Sequence, residues 1–169
     1  MLLPYVVLAS HILFVVFFIS IVAKNSLAHW IGKNAIALSF LTSLAAVGGS
    51  LFYSEIMGFE PCVLCWWIRV FLFPLVIIFG VALGRPITQN AFSYSVPLAL
   101  LAAIVSLYFS YASLGGSAIL PCTAEGGACS RVYVKAFGYI TIPIMSLTVS
   151  LFVLLFAWAH KLFKKTPAN

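Results

Sequence analysis

Polar residues in this chain collect in short gaps, and between the gaps run five long apolar stretches. The stretches fall at about residues 2–23, 35–57, 62–83, 94–114 and 138–160. Each is close to the ~20 residues that a helix needs to cross a hydrocarbon core ~30 Å thick. None alternates polar and apolar positions in the way a lipid-facing barrel strand must. The pattern predicts an all-α integral membrane protein, with five spans in one transmembrane domain. The gap at 54–61 is so short that the second and third spans must form an antiparallel hairpin. The gap at 115–137 is the long one and forms the main loop between spans.

Composition sharpens this picture. With 64% hydrophobic and 7% charged residues and a mean hydropathy of +1.17, the 169-residue chain does not read as a soluble domain. The formal charge of +6 is therefore no nucleic-acid footprint, and no nucleic-acid partner is expected. It has to be read by side of the membrane. Lys24, Lys33, Arg85, Lys161, Lys164 and Lys165 share one side if the spans alternate, against Arg131 and Lys135 on the other. The positive-inside rule then puts the N-terminus out and the C-terminus in. All four cysteines, Cys62, Cys65, Cys122 and Cys129, face the exterior in that arrangement. Disulfides form and persist outside the bacterial cytoplasmic membrane, so the expected place is that membrane, multi-pass, with extracytoplasmic cysteines.

The candidate chemistry sits at the start of the third span, in Glu60-Pro61-Cys62-Val63-Leu64-Cys65-Trp66-Trp67-Ile68-Arg69. Pro61 suits a first helical turn, where its missing N–H loses no acceptor. A helix starting there puts Cys62, Cys65 and Arg69 on one face, at i, i+3 and i+7. A helix N-terminus and a nearby cation both favour thiolate, the reactive form of cysteine. Arg69 lies below the helix mouth, where an arginine must find a partner or snorkel outward. Its place on the cysteine face favours a role in holding a polar ligand oxygen and stabilising negative charge beside Cys65. Cys122 and Cys129 form a second cluster in the long loop, with six residues between them. Three pairings of four cysteines are possible, and the within-cluster pairs close the shortest loops. A metal site is not expected. No histidine lies near either cluster, and a four-cysteine zinc site favours two tight pairs.

Other residues read more plainly. The first span carries a lysine behind its apolar run and none in front, so it is expected to be a membrane helix and not a cleaved signal. His11 within it reads as a neutral histidine bonded near the interface, in preference to a proton relay. Residues 24–34, with His29 and Trp30, look like an interfacial segment. Small residues from Ser39 to Ser50 in the second span suggest close helix packing. Trp66 and Trp67 read as aromatic-belt residues, in preference to a ligand wall. Ser106, Tyr108, Ser110, Tyr111 and Ser113 give the fourth span a polar end, which either lines a crevice or bonds neighbouring helices.

Pro61-Cys62-Val63-Leu64-Cys65, the arginine four residues on, the later loop cysteine pair and Pro143 early in the last span together resemble the DsbB-type disulfide-bond formation proteins. The resemblance covers residues 35–160 and implies a DsbB-like four-helix bundle, to which the first span is an addition. It implies an enzyme, a membrane thiol–disulfide oxidoreductase. Such an enzyme re-oxidises a DsbA-like extracytoplasmic thioredoxin-fold partner and passes the electrons to a membrane quinone, ubiquinone or menaquinone. Residue by residue, Cys122 and Cys129 match the loop pair that exchanges with the partner. Cys62 and Cys65 match the pair beside the quinone, with Cys65 facing it, and Arg69 matches the arginine there. The close-spaced loop pair resembles the compact members of the group.

Two other readings fit parts of the pattern. One is a non-catalytic membrane protein with two structural disulfides. The other is a vitamin K epoxide reductase-like enzyme, although there the loop pair precedes the Cys-x-x-Cys and here it follows.

Overall fold

The computed structural model describes residues 3–59, 61–85, 90–113 and 141–164. Among these residues the fold is all helical: α1 (Leu3–Ala23), α2 (Ser26–Lys33), α3 (Ala35–Leu51), α4 (Val63–Gly84), α5 (Ala91–Ser113) and α6 (Ile142–Lys164). A single π turn, Phe52–Ile56, prolongs α3. Five of these helices are long and apolar enough to cross a membrane, α3 counting with its π turn. Cys122, Cys129 and the rest of the loop expected at 115–137 lie outside the described residues.

Helices α3, α4, α5 and α6 form a ring in which each packs on its two neighbours. Its interior is filled by Leu72, Leu75, Phe79, Ala99, Ala102, Val153 and Phe156, all buried. Several serines buried in the ring bond locally or across helices: Ser95 Oγ donates to Ala91 O at 2.7 Å, and the Ser106 and Ser146 hydroxyls meet at 2.9 Å, whereas the buried Ser39 and Ser43 hydroxyls have no partner among the described residues. In lipid such bonds replace the hydrophobic drive that water would give a soluble bundle. The polar end of α5 is therefore mostly helix bonding, since Ser110 also turns back to Ser106 O at 2.7 Å.

α1 stands outside the ring, against α2 and α6. Its Phe14 meets Phe152 edge to face at 5.2 Å, and Phe17 packs on both Phe152 and Phe156. His11 Nε2 lies 3.1 Å from the Thr148 hydroxyl, so this histidine ties α1 to α6. α1 closes with a Schellman motif, Asn25 N–H on Ser20 O and Lys24 N–H on Ile21 O, with Lys24 in the left-handed region at φ 52°. The segment expected to be interfacial forms the helix α2, whose Ala28, Ile31 and Gly32 are buried. Gly32 is obligatory there. A Cβ at this position would come 2.8 Å from Phe163 Cβ.

The small-residue stretch of α3 divides in two. Ser39 and Ser43 are fully buried, as close packing requires. Gly48 and Gly49 are not packing residues, because nothing lies within 4 Å of where a Cβ would stand on either. The expected close approach ends before them, and the space beside Gly49 belongs to a cavity.

Candidate functional site

The short hairpin between α3 and α4 brings the end of α3 and the start of α4 together. The chain leaves the π turn through Gly58, at φ 67°, with Phe59 N–H on Tyr53 O at 3.1 Å. Tyr53 and Phe59 stack with centroids 5.8 Å apart and planes within 10°. Pro61 is not in the first turn of α4 as the sequence suggested. The helix begins at Val63, and Cys62 is its N-cap, with extended ψ of 169°. The reason is the sulfur itself, which accepts from Cys65 N–H at 3.3 Å and fills the place that a serine or aspartate oxygen usually takes. The expected sharing of a face survives this change of register. Cys62, Cys65 and Arg69 all line one cavity.

Within the pair, the two sulfurs lie 3.0 Å apart and are free thiols. Cys62 is buried, 4% exposed, and Cys65 is half-buried. The Cys65 thiol donating to it, together with the N–H groups of Cys65 and Leu64, lowers the Cys62 pKa to about 7, against the opposing effect of burial. The start of α4 thus holds a sulfur that is about half thiolate at pH 7, far more than an ordinary cysteine.

Arg69 does not snorkel. Its Nε donates to Ser50 Oγ at 2.9 Å and its Nη2 to Ser50 O at 3.0 Å. Its guanidinium also lies over the Trp66 ring, 5.4 Å from the centroid. Ser50 is the penultimate residue of α3, just before the ladder widens into the π turn, and such turns recur at functional sites. These contacts use two of the five N–H donors of the guanidinium. The others can serve a ligand oxygen. Trp66 and Trp67 are exposed and do not line the cavity, in keeping with belt residues.

The cavity has a volume of about 620 Å³, within the usual range of ~300–1,000 Å³ for a small-molecule site. Its walls come from α1, α3, α4 and α6, with Phe109 and Ser113 from α5. Thr141, just before α6, is only 2% exposed and lines it too, and among the described residues its hydroxyl has no hydrogen-bond partner. An orphaned buried hydroxyl costs ~1–3 kcal/mol, so an atom that pairs with it is strongly favoured there. Ser113 and Thr141 bracket the segment that carries Cys122 and Cys129, and both line the same cavity as Cys62 and Cys65. Sequence reasoning missed Ser50, Tyr53, Phe59 and Thr141. Only Ser50 carried a signal, as one of the small residues of the second span.

The comparison with known proteins now bears on this site. The family model for disulfide bond formation protein DsbB matches residues 32–160. The chain belongs to the DsbB family. The probable disulfide formation protein C of Bacillus cereus is 42% identical over 120 residues, covering 68% of this chain and 83% of the relative. Disulfide bond formation protein C of Bacillus subtilis is 38% identical over 129 residues, covering 73% and 92%. An SPbeta prophage-derived disulfide bond formation protein B, also from Bacillus subtilis, is 37% identical over 134 residues, covering 79% and 88%. No solved structure gives a significant match.

Membership makes this chain a multi-pass membrane oxidoreductase that generates disulfide bonds. It sets aside both the reading as a non-catalytic protein with structural disulfides and that as a vitamin K epoxide reductase-like enzyme. The family match takes in α3 to α6 and leaves α1 outside, as the resemblance implied.

Proposed function

We propose that this chain re-oxidises a DsbA-like thioredoxin-fold partner outside the bacterial cytoplasmic membrane and passes the electrons to a membrane quinone. The observation that carries the reading is the convergence of Cys65, the Arg69 guanidinium and the orphaned Thr141 hydroxyl on one largely apolar cavity beside a low-pKa Cys62. A quinone has the matching chemistry, a flat apolar ring with carbonyl oxygens that accept hydrogen bonds. Arg69 and Thr141 would hold such oxygens, and Tyr53 and Phe59 would bound the ring's surroundings. A bound quinone would supply the acceptor for two electrons and two protons.

The chain's own residues do the rest. A partner thiolate attacks the Cys122–Cys129 disulfide, forming a mixed disulfide through Cys122 and releasing Cys129 as thiolate. The partner's second thiol then resolves the mixed disulfide, leaving the partner oxidised and the loop pair reduced. The reduced loop pair in turn reduces a Cys62–Cys65 disulfide by the same two displacements. Forming the Cys62–Cys65 bond again releases two electrons and two protons into the cavity. The low pKa of Cys62 makes it a good leaving sulfur and a ready thiolate near pH 7. Chain length permits the exchange. Cys122 lies nine residues beyond Ser113, a reach of up to ~30 Å of extended chain. The basic residues clustered at the opposite ends of the spans support an extracytoplasmic position for the cysteine end.

Purified protein mixed with a reduced thioredoxin-fold partner and a soluble quinone should consume quinone absorbance as partner thiols disappear. Serine at Cys62, Cys65, Cys122 or Cys129 should each stop turnover. Normal turnover in all four serine variants would end the proposal.

A further inference from the structure

A second, smaller cavity opens at the end of the helices opposite the cysteine pair. It lies between α2 and α6, and His160 on its wall stands about 27 Å along α6 from Ile142, at 1.5 Å per residue. Its walls are His29, Gly32 and Lys33 of α2 with His160 and Phe163 of α6, none of which lines the first cavity. Its volume of about 210 Å³ is below the ~300–1,000 Å³ of a site for a whole small molecule, and suits a single polar headgroup.

The pocket is built from fixed parts. Gly32 lets α2 and α6 close on each other, since a Cβ there would come 2.8 Å from Phe163 Cβ. His160 Nδ1 lies 3.4 Å from Gly32 O, and because a carbonyl only accepts, the imidazole donates there. The same ring packs on Phe92 near the start of α5, with centroids 5.0 Å apart. On the other wall the His29 and Phe163 rings meet edge to face at 6.0 Å.

The charge around the pocket has one sign. His29 and Lys33 stand four residues apart on one face of α2, both exposed at its mouth. Lys24, Arg85 and Lys161 fall at the same end of the helices. The chain has three acids, Glu55, Glu60 and Glu125, and none falls in the stretches at this end. A small pocket with a lysine and no carboxylate nearby complements an anion. Another stripe of α2 indicates the source of that anion. Leu27 and Trp30, three residues apart, are 39% and 51% exposed. Such side chains belong where acyl chains meet phosphates, the level at which tryptophan is enriched.

We propose that the pocket between α2 and α6 binds the phosphate of an anionic phospholipid. Lys33 supplies the charge and up to three N–H donors, and His29 a ring N–H. His160 is a positioning residue that holds the Gly32 carbonyl, and with it the wall of the pocket. The bound lipid bridges α2 to α6, and so ties α1 and α2, most of which precede the family match, to the four-helix core. Nothing in this site depends on the electron acceptor.

The test is thermal unfolding of the full chain in a neutral detergent. It is titrated with dioleoylphosphatidylglycerol, with zwitterionic dioleoylphosphatidylcholine, or with inorganic phosphate. A ligand held only by the folded state raises the midpoint as its concentration passes Kd. Phosphatidylglycerol should do so in wild type, and phosphatidylcholine, which has no net charge, should not. Lys33→Gln should raise the half-saturating concentration roughly fivefold, what one lysine near a lipid phosphate is worth. His29→Leu should raise it about threefold, for one lost hydrogen bond. Lys24→Gln removes the same charge from the same end but outside the pocket, and should stay within about twofold. Both pocket side chains are exposed, and the midpoints without lipid check that each variant is folded. Equal rises with the two lipids, no rise with either, or equal losses in Lys33→Gln and Lys24→Gln would overturn the site. An equal rise with inorganic phosphate at matched concentration would assign the pocket to a soluble phosphate and remove the lipid.

Discussion

Arg69 reaches from the second turn of α4 to the end of α3 and grips Ser50 twice, side chain and main chain, through Nε and Nη2. The double contact fixes the guanidinium plane in the cavity that Cys65 also lines, Arg69 standing one helical turn beyond Cys65 on the same face. An arginine held so firmly is already oriented before any ligand arrives, which lowers the ordering cost of binding. Ser50→Ala removes the Nε partner and leaves the carbonyl contact. It should raise the KM for quinone by roughly tenfold, the worth of one hydrogen bond to a charged group. Arg69→Met should raise it further, and Arg69→Lys should not rescue it, because an ammonium cannot reproduce the planar fork. Steady-state turnover at varied quinone concentration checks all three, with kcat affected less than KM if binding is the main role.

The lowered pKa of Cys62 gives a pH profile with a definite sign. Its charged form is favoured, so the thiolate is present above about 7 and lost as pH falls through that value. In reduced protein carrying Cys122→Ser and Cys129→Ser, alkylation of Cys62 should be half-maximal near pH 7. Each further unit of acid should slow it roughly tenfold. Cys65→Ala removes the strongest cause of the shift, and the midpoint should climb toward the ~8.5 of a free thiol. A midpoint that ignored the loss of Cys65 would show that the helix N-terminus alone sets the value.

Much of this was legible in the sequence because the membrane is a severe solvent. Spans of about 20 apolar residues have few alternatives in hydrocarbon, so the helical class and the five-span count could be read directly. Cys62, Cys65 and Arg69 were legible as a group because spacing on one helix decides which side chains share a face. The start of that helix was misread by two residues, since a sulfur acting as N-cap has no distinctive sequence mark. Ser50 and Thr141 depend on how α3 and α6 are placed against α4, which no local pattern encodes. Gly48 and Gly49 show the limit most clearly. A small residue that admits a neighbouring helix and one that leaves a void are the same letter, and only packing tells them apart.

Lys24 carries a prediction about stability alone. It occupies the left-handed position of the Schellman motif that ends α1, at φ 52°. A side chain there meets its own carbonyl, at a cost of about 1–2 kcal/mol relative to glycine. Lys24→Gly should therefore raise the thermal midpoint in detergent by a few degrees, and Lys24→Val should lower it. Turnover should be unchanged in the glycine variant, because the residue is at the far end of α1 from the cysteine pair.

Thr141 makes the sharpest case, because its two expected effects have opposite signs. Its hydroxyl is buried, lines the cavity and has no partner among the described residues, although the residue stands just before α6 where a threonine oxygen commonly caps the helix. Thr141→Val keeps the shape and removes the orphaned polar atom. The fold without ligand should gain up to ~1–3 kcal/mol, seen as a higher thermal midpoint. If the hydroxyl exists to meet a quinone oxygen, the same variant should bind quinone more weakly, with KM raised several-fold, while Thr141→Ser keeps the wild-type KM. A residue kept only for packing or capping would behave differently. Valine would then leave the quinone KM where it is, and a true capping role would lower the midpoint instead of raising it.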